Sequence, residues 1–334
     1  MSKRELLVRL SALSGVTYVL EKLGRPSVLV LTHHRIGDAS GEPFDRAVFS
    51  ASAEEFEAQL KYVKRHFKVL ALEELEEILD SPATLRHPAA LITFDDGYID
   101  NYTTAFPILR SLGVPATFFL VTTYVGSSTV PWWDEVAYSI RHSSKPKLRL
   151  RYPAEYSASL NGNREAVIHA VLRHYKLPGN QDQNRFLQEL EEATGVNRPA
   201  AVPQRFLSWD EAREMRAHGM SIGSHTYTHP LLAQLPAEKQ LFELEASRRE
   251  TEARLGAAVT ALAYPVGKPT AFTAQTEECA RQAGYRSAFA FDGGVVNPER
   301  FERMRLPRFA PSAIAGQCRF ELATAAALRK HLFG

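Results

Sequence analysis

Leu91-Ile92-Thr93-Phe94-Asp95-Asp96-Gly97 is the stretch that decides how this chain of 334 residues is read. Its first four residues form a β-prone run without polar alternation, the pattern of a strand covered on both faces, and two carboxylates stand where the run ends. In barrels of parallel strands the chemistry sits at the carboxyl ends of the strands. Neighbouring residues of an extended strand point to opposite sides, so the two aspartates are expected to do different work, one binding a metal and the other meeting substrate or water. Gly97 permits a sharp turn away from the site without a side chain in the way.

A second segment repeats the arrangement. Met220-Ser221-Ile222-Gly223 reads as a short strand ending in Ser224, and His225-Thr226-Tyr227-Thr228-His229-Pro230 follows at once. The i, i+4 spacing puts both imidazoles on one side if the segment makes a single helical turn, which Pro230 would stop. Two neutral imidazoles and a carboxylate are the usual protein ligands of a catalytic zinc, with a position left open for water. Such a metal acidifies water and polarises an acyl oxygen. Taken alone, Asp-Asp-Gly is a common turn and His-x-x-x-His a common solvated helix pattern. With each behind its own β-prone run, the pair describes a metal-dependent hydrolase.

The two motifs resemble those of the polysaccharide deacetylases, the family of chitin, chitooligosaccharide and peptidoglycan deacetylases, whose first motifs read T-F-D-D-G and H-[ST]-x-x-H. The resemblance covers residues 27–125 and 206–312. It implies that Asp95 is the general base and that Asp96, His225 and His229 hold a divalent metal, zinc by preference. The implied reaction is hydrolysis of an N-acetyl group on an amino sugar, with the metal and the Val266 amide holding the oxyanion. The third motif departs from the family's R-x-P-[YF]. Here Ala263-Tyr264-Pro265-Val266-Gly267 replaces the arginine by Ala263 and the aromatic residue by Val266. A backbone donor at Val266 does not depend on its side chain, and Tyr264 joins it as an oxyanion or substrate contact. Arg308, in Arg305-Leu306-Pro307-Arg308-Phe309, is the candidate for the missing guanidinium, its alternative being a surface arginine. The family's late Leu-x-His acid has no counterpart, since no histidine lies between His229 and His331. Leu29-Val30-Leu31-Thr32-His33-His34-Arg35 is instead similar to the Y-H-R or Y-H-N segment of exopolysaccharide deacetylases of the poly-N-acetylglucosamine type, whose acid histidine comes from the N-terminal strand. On that match His34 is the acid and His33 replaces the tyrosine.

The rest of the barrel region alternates strand-like and helix-like runs, as an α/β fold of βα units does. Strands are expected at Val28–Thr32, Leu91–Phe94, Ala116–Thr122, Met220–Ser224, Val259–Tyr264, Ser287–Phe291 and Met304–Phe309. About seven strands suit the distorted, incomplete (β/α) barrel that the resemblance implies. Ser52 with Glu55 and Ser208 with Glu211 have capping-box spacing. Long helices are expected over Glu54–His66 and Pro236–Leu255, the second with Glu243, Glu245, Arg248 and Arg249 as its solvated face.

Residues 124–206 break this rhythm. They carry Trp132-Trp133-Asp134-Glu135, an alternating run Lys147–Tyr152, and helical patterns at Arg164–Tyr175 and Arg185–Ala193. An insertion after a barrel strand makes a lid or subdomain, because insertions are accommodated in the active-site loops. Across 141–185, nine lysines and arginines face three acids, Glu155, Glu165 and Asp182. This basic field is either solvated surface or a face for an anionic partner such as a diphosphate-linked glycan or anionic lipid. Trp133 and its neighbour Trp132 either stack on a sugar or anchor the insertion.

The domain expectation is an N-terminal helical segment over 1–26, a barrel over 27–123 and 207–312, the insertion over 124–206, and a C-terminal helix over 313–334. The formal net charge of +2 gives no attraction to nucleic acid, and neither a nucleic-acid motif nor a phosphate loop is present. Cys279 and Cys318, the two cysteines, are too few for a disulfide framework or a thiolate zinc site. Glu5, Arg9, Glu21 and Lys22 interrupt the apolar N-terminus before it reaches the ~20 residues of a membrane span, and an A-x-A-like cleavage site is missing. The expectation is a cytoplasmic protein without a transmembrane span, with peripheral membrane contact open. The function expected is N-deacetylation of a glycan, free or carrier-linked, in surface or exopolysaccharide biosynthesis. Its rivals are a catalytically silent glycan-binding relative and a hydrolase of a non-sugar amide.

Overall fold

The computed structural model describes residues 27–311; the helices expected over 1–26 and 313–334, and Cys318 and His331, lie outside them. The strands are β1 (Val28–His33), β2 (Arg35–Ile36), β3 (Phe49–Ala51), β4 (Lys68–Leu70), β5 (Ala89–Asp96), β6 (Thr117–Leu120), β7 (Lys147–Leu150), β8 (Tyr156–Ser159), β9 (Ser221–Ser224), β10 (Ala261–Ala263) and β11 (Ser287–Phe289). The main sheet runs β1-β5-β6-β9-β10-β11, and β4 pairs with the first half of β5, Lys68 opposite Ala89. Every pairing in it is parallel, so all the carboxyl ends open on one side of an incomplete, distorted barrel.

Both faces of β5 are covered, as its unalternating sequence requires. Ala90, Ile92 and Phe94 pack with Phe56, Leu60 and Val63 of the helix Ala53–His66. Ala89 and Leu91 pack with Val28, Val30, Ala261 and Phe289 in the barrel interior. The helix stripe recurs every three to four residues, and its start is closed by the Ser52–Glu55 capping box, in which Ser52 Oγ accepts the Glu55 N–H at 3.2 Å. Ser208 and Glu211 cap Trp209–Ala217 in the same way. Gly223 is needed where β9 passes β6, because a Cβ there would lie 2.5 Å from the Phe119 ring.

One strand expectation needs correction, and one strand was not expected. Met304–Phe309 is not a ladder strand: a single 3-10 turn occupies Arg303–Arg305, and the rest makes only single parallel bridges, Leu306 to Phe289 and Phe309 to Leu31. Pro307 lacks the N–H that a continuous ladder would use. These bridges nevertheless link the two edges of the curled sheet. Lys68–Leu70, three residues between two helices, supplies the seventh strand, and so short a run carries no periodic signal.

The insertion is the helix Trp132–His142, the antiparallel hairpin of β7 and β8, and the helices Arg164–Tyr175 and Gln183–Thr194. Its core joins Val136, Ile140, Leu148, Ile168, Phe186 and Leu190, and it continues onto Tyr98 and Phe206 of the barrel side. It packs as part of the molecule beside the carboxyl end of β5. Among the described residues no helix is long and apolar enough to cross a membrane.

Candidate active site

The site is built where β1, β5 and β9 end. Asp95 continues the interior face of β5, and Arg308 meets it in two parallel bonds, Nη1 to Oδ1 at 2.7 Å and Nη2 to Oδ2 at 2.9 Å. Arg308 is 1% exposed, so it is no surface arginine. Its Nε donates to the Ala290 carbonyl at 3.3 Å, which fixes the fork. Burial alone would raise the Asp95 carboxyl, but Arg308 and then His225 offset it and hold the group well below the usual carboxylate range. Asp95 is therefore ionised at neutral pH.

Asp96 does not point away from Asp95 as strand alternation predicts. Its φ of 74° leaves the strand conformation, and both carboxylates reach His225 Nε2, Asp96 Oδ1 at 3.6 Å and Asp95 Oδ2 at 4.0 Å. Gly97 follows at φ 76°, where a Cβ would meet Leu120 Cδ2 at 2.8 Å. Left-handed backbone at a non-glycine residue costs about 1–2 kcal/mol and clusters at functional sites. Here Asp96, Thr226, His229 and Val266 are four of the five such residues among those described.

The histidine segment also differs from its expectation. No helical turn forms; Thr226 and His229 adopt φ of 68° and 62° in an extended bend. Internal bonds hold it: Ser224 Oγ accepts from Thr226 N at 3.2 Å and Thr226 Oγ1 accepts from His229 N at 3.0 Å. Glu243, expected on a solvated face, is buried beneath the segment, its carboxylate accepting the N–H groups of Tyr227 at 3.0 Å and Thr228 at 2.8 Å and the Thr228 hydroxyl at 2.6 Å. The signal for it was present: Gln240, Glu243, Ser247 and Thr251 repeat at helical spacing with Leu244 and Leu255, and all are buried.

The donor set fits a divalent metal. One ligand atom each from Asp96, His225 and His229 lie within 4.8 Å of one another, all buried. His225 Nδ1 is 2.7 Å from the Ala263 carbonyl, which can only accept, so Nδ1 carries the proton and Nε2 presents its lone pair. Burial holds His225 at about 4 and His229 well below its ordinary value, so both imidazoles are neutral, as ligands must be. Asp96 Oδ1 is buried without a hydrogen-bond donor among the described residues. Burial and then the Asp95 charge push its carboxyl well above the ordinary value, a cost that a cation removes.

A cavity of about 250 Å³ opens over these groups, lined by Thr32, His34, Asp95, Asp96, Trp133, His225, His229, Val266 and Arg308 among others. His34 is placed by its backbone, whose N–H donates to Ser50 Oγ at 2.9 Å and whose carbonyl accepts from Asn101 Nδ2 at 2.6 Å. Burial lowers its imidazole below the ordinary value, against a raising influence from Asp95. Val266 turns at φ 63°, and its N–H has no acceptor among the described residues. Tyr264 is a correction: it lies off the cavity, stacked on Phe272 at 4.3 Å, with its hydroxyl donating to the Met304 carbonyl at 2.9 Å. It supports the loop and cannot contact substrate from there.

Trp133 is anchored and also faces the cavity. It lines the cavity with its ring 4.6 Å from that of His229, and its Nε1–H donates to Tyr98 OH at 2.8 Å. Tyr98 donates to Asp134 Oδ2 at 3.3 Å, and Arg205 pairs with the same carboxylate. Tyr98 and Arg205 were not singled out in the sequence, and Asp134 was quoted only within its run, because the chain brings the three together from distant places. Trp132 is covered by Tyr175, stacked at 3.7 Å.

His33 faces the other way, as alternation requires, against Phe56 and Phe94. Burial holds its imidazole at about 4. The folded protein thus binds fewer protons than the unfolded chain between pH 6.5 and 4, so stability is lost as pH falls through that window. His33→Leu should flatten this acid limb by roughly 3 kcal/mol, on 1.36 kcal/mol per pKa unit. Urea unfolding at pH 7 and pH 4 checks it, and an unchanged pH dependence contradicts the burial of a neutral His33.

The family profile described as polysaccharide deacetylase matches residues 83–288. The chain is 21% identical over 281 residues to YxkH of Bacillus subtilis (strain 168), named as a polysaccharide deacetylase, covering 84% of this chain and 70% of that one. It is 29% identical over 119 residues to the poly-beta-1,6-N-acetyl-D-glucosamine N-deacetylase of Staphylococcus epidermidis, covering 32% of this chain and 40% of that relative. Among solved structures, the Streptococcus pyogenes deacetylase PplD in complex with acetate superposes with a TM-score of 0.59 at 19% identity, over 90% of this chain and 98% of that one. At that identity the likeness concerns the fold.

Proposed function

Because the chain belongs to the polysaccharide deacetylase family, we propose that it is a metal-dependent N-deacetylase of an amino-sugar glycan. The observation that carries the reading is the convergence, on one cavity, of a two-histidine, one-aspartate donor set and a separate carboxylate clamped by Arg308. The relative that acts on poly-beta-1,6-N-acetyl-D-glucosamine supports an N-acetylated exopolysaccharide as the substrate class.

Asp96, His225 and His229 would hold zinc, which when bound acidifies water and polarises the acetamide oxygen. Asp95 takes the proton from the attacking water, and the buried fork of Arg308 keeps that carboxylate ionised and aimed. The Val266 N–H donates to the acyl oxygen as charge develops on it. The carbon–nitrogen bond then breaks, and His34, on the cavity wall, relays to the departing amine the proton that Asp95 took from the water. Acetate and a free amino sugar leave.

Acetate release from N-acetylglucosamine oligosaccharides by the zinc-loaded chain tests the reading; binding without release would favour a glycan-binding relative. His34→Ala should lower kcat by about 10²-fold, the scale of general acid catalysis, with metal content kept. A wild-type rate in that variant would remove His34 from the mechanism.

A further inference from the structure

The catalytic groups occupy the inner wall of the cavity and balance one another, Asp95 against Arg308 and Asp96 against the metal it would hold. Three other charged residues line the cavity, Lys176 and Lys268, both exposed and so at its mouth, and the buried Asp45. Lys176 follows the insertion helix Arg164–Tyr175, and Lys268 follows the loop that carries Val266. Each ammonium rests over an aromatic ring of the cavity wall, Lys176 at 5.8 Å from the Trp132 centroid and Lys268 at 4.5 Å from that of Phe291. Among the described residues neither has a carboxylate within 4.0 Å. Asp45 is already engaged, accepting the Ala47 N–H at 2.9 Å, and burial pushes its carboxyl up.

Resting on the reading above, we infer that Lys176 and Lys268 form a subsite for an anionic oxygen group, phosphoryl or carboxylate, carried by the amino sugar or by the adjoining unit of the glycan. Two ammoniums face one committed carboxylate, from opposite elements, at the entrance to a partly desolvated pocket. There a fixed charge pair is worth more than in water, and like-signed walls draw oppositely charged ligands in. The aromatic rings give each ammonium a fixed resting place, which lowers the entropy lost when the anion is bound. Lys176 also belongs to the basic field over 141–185, so the insertion supplies a recognition wall as well as packing.

The test compares three substrates of the zinc-loaded full chain by acetate release: a neutral N-acetylglucosamine oligosaccharide, N-acetylglucosamine 1-phosphate, and an oligosaccharide alternating N-acetylglucosamine with glucuronate. At low salt at least one charged substrate should be preferred by about tenfold in kcat/KM, mainly through KM. Which of the two is preferred identifies the anion's place. In K176M/K268M, whose thioether stems still cover the rings, the preference should collapse, and in K176R/K268R it should persist. Equal use of neutral and charged substrates, or a preference that survives in the methionine variant, overturns the subsite. If no substrate releases acetate, the deacetylase reading fails by itself. Calorimetric binding of the same three sugars to wild type and K176M/K268M then decides the subsite on the same criterion.

Discussion

Asp95→Asn should retain the metal and lose turnover by about 10²-fold or more, the usual scale for removing a general base. Asparagine keeps the shape of the side chain but not its charge, so its Oδ1 can keep one of the two Arg308 bonds, its Nδ2 cannot accept the other, and the guanidinium loses its counter-ion. Arg308 is 1% exposed, and a buried charge deprived of its partner costs roughly 3–5 kcal/mol. The variant should therefore also unfold at lower denaturant concentration, which separates a clamped base from a freely solvated one. Elemental analysis on folded protein, beside acetate release, checks the assignment. Equal metal loss in Asp95→Asn and Asp96→Asn would mean that the two aspartates had been given the wrong roles.

His225→Ala should weaken metal affinity by more than about 10²-fold, since even the residues that merely orient metal ligands are worth 10–100-fold. The same change strips the Ala263 carbonyl of its 2.7 Å donor, an unsatisfied buried acceptor worth about 1–3 kcal/mol. Loss of metal should exceed what that destabilisation explains, because His229 and Asp96 remain in place. Titration with zinc at pH 7 measures it, and wild-type occupancy in His225→Ala would remove His225 from the ligand set.

Sequence patterning revealed where the site would be, and its limits follow from backbone conformation. The apolar runs ending at Asp95 and Ser224 placed two strand ends on one face because burial on both sides leaves a direct trace in composition. The convergence of Asp95 and Asp96 left none. It depends on φ of 74° at Asp96, a conformation that aspartate tolerates but does not advertise. Likewise the pair His225 and His229 could be seen, but the expected helical turn could not anticipate the left-handed Thr226 and His229 or the buried Glu243 that braces them. Arg308 stood out only because the third motif lacks its own arginine, and Tyr264, chosen from the same motif, turned out to stack on Phe272 outside the cavity. Two of the insertion's helices, Arg164–Tyr175 and Gln183–Thr194, were legible from their periodicity, whereas Trp132–His142 was read only as an aromatic and acidic run. The insertion's grip on the site was not legible, because Trp133, Tyr98 and Arg205 meet only after the chain has folded.

The most direct test of the central claim is acetate release from an N-acetylglucosamine oligosaccharide by one preparation, measured before chelation, after it, and after titration with zinc. Release should disappear with the metal and return in proportion to zinc, levelling off at one equivalent per chain. Release that persists in the stripped protein, or a fully loaded protein that releases no acetate, would contradict that claim.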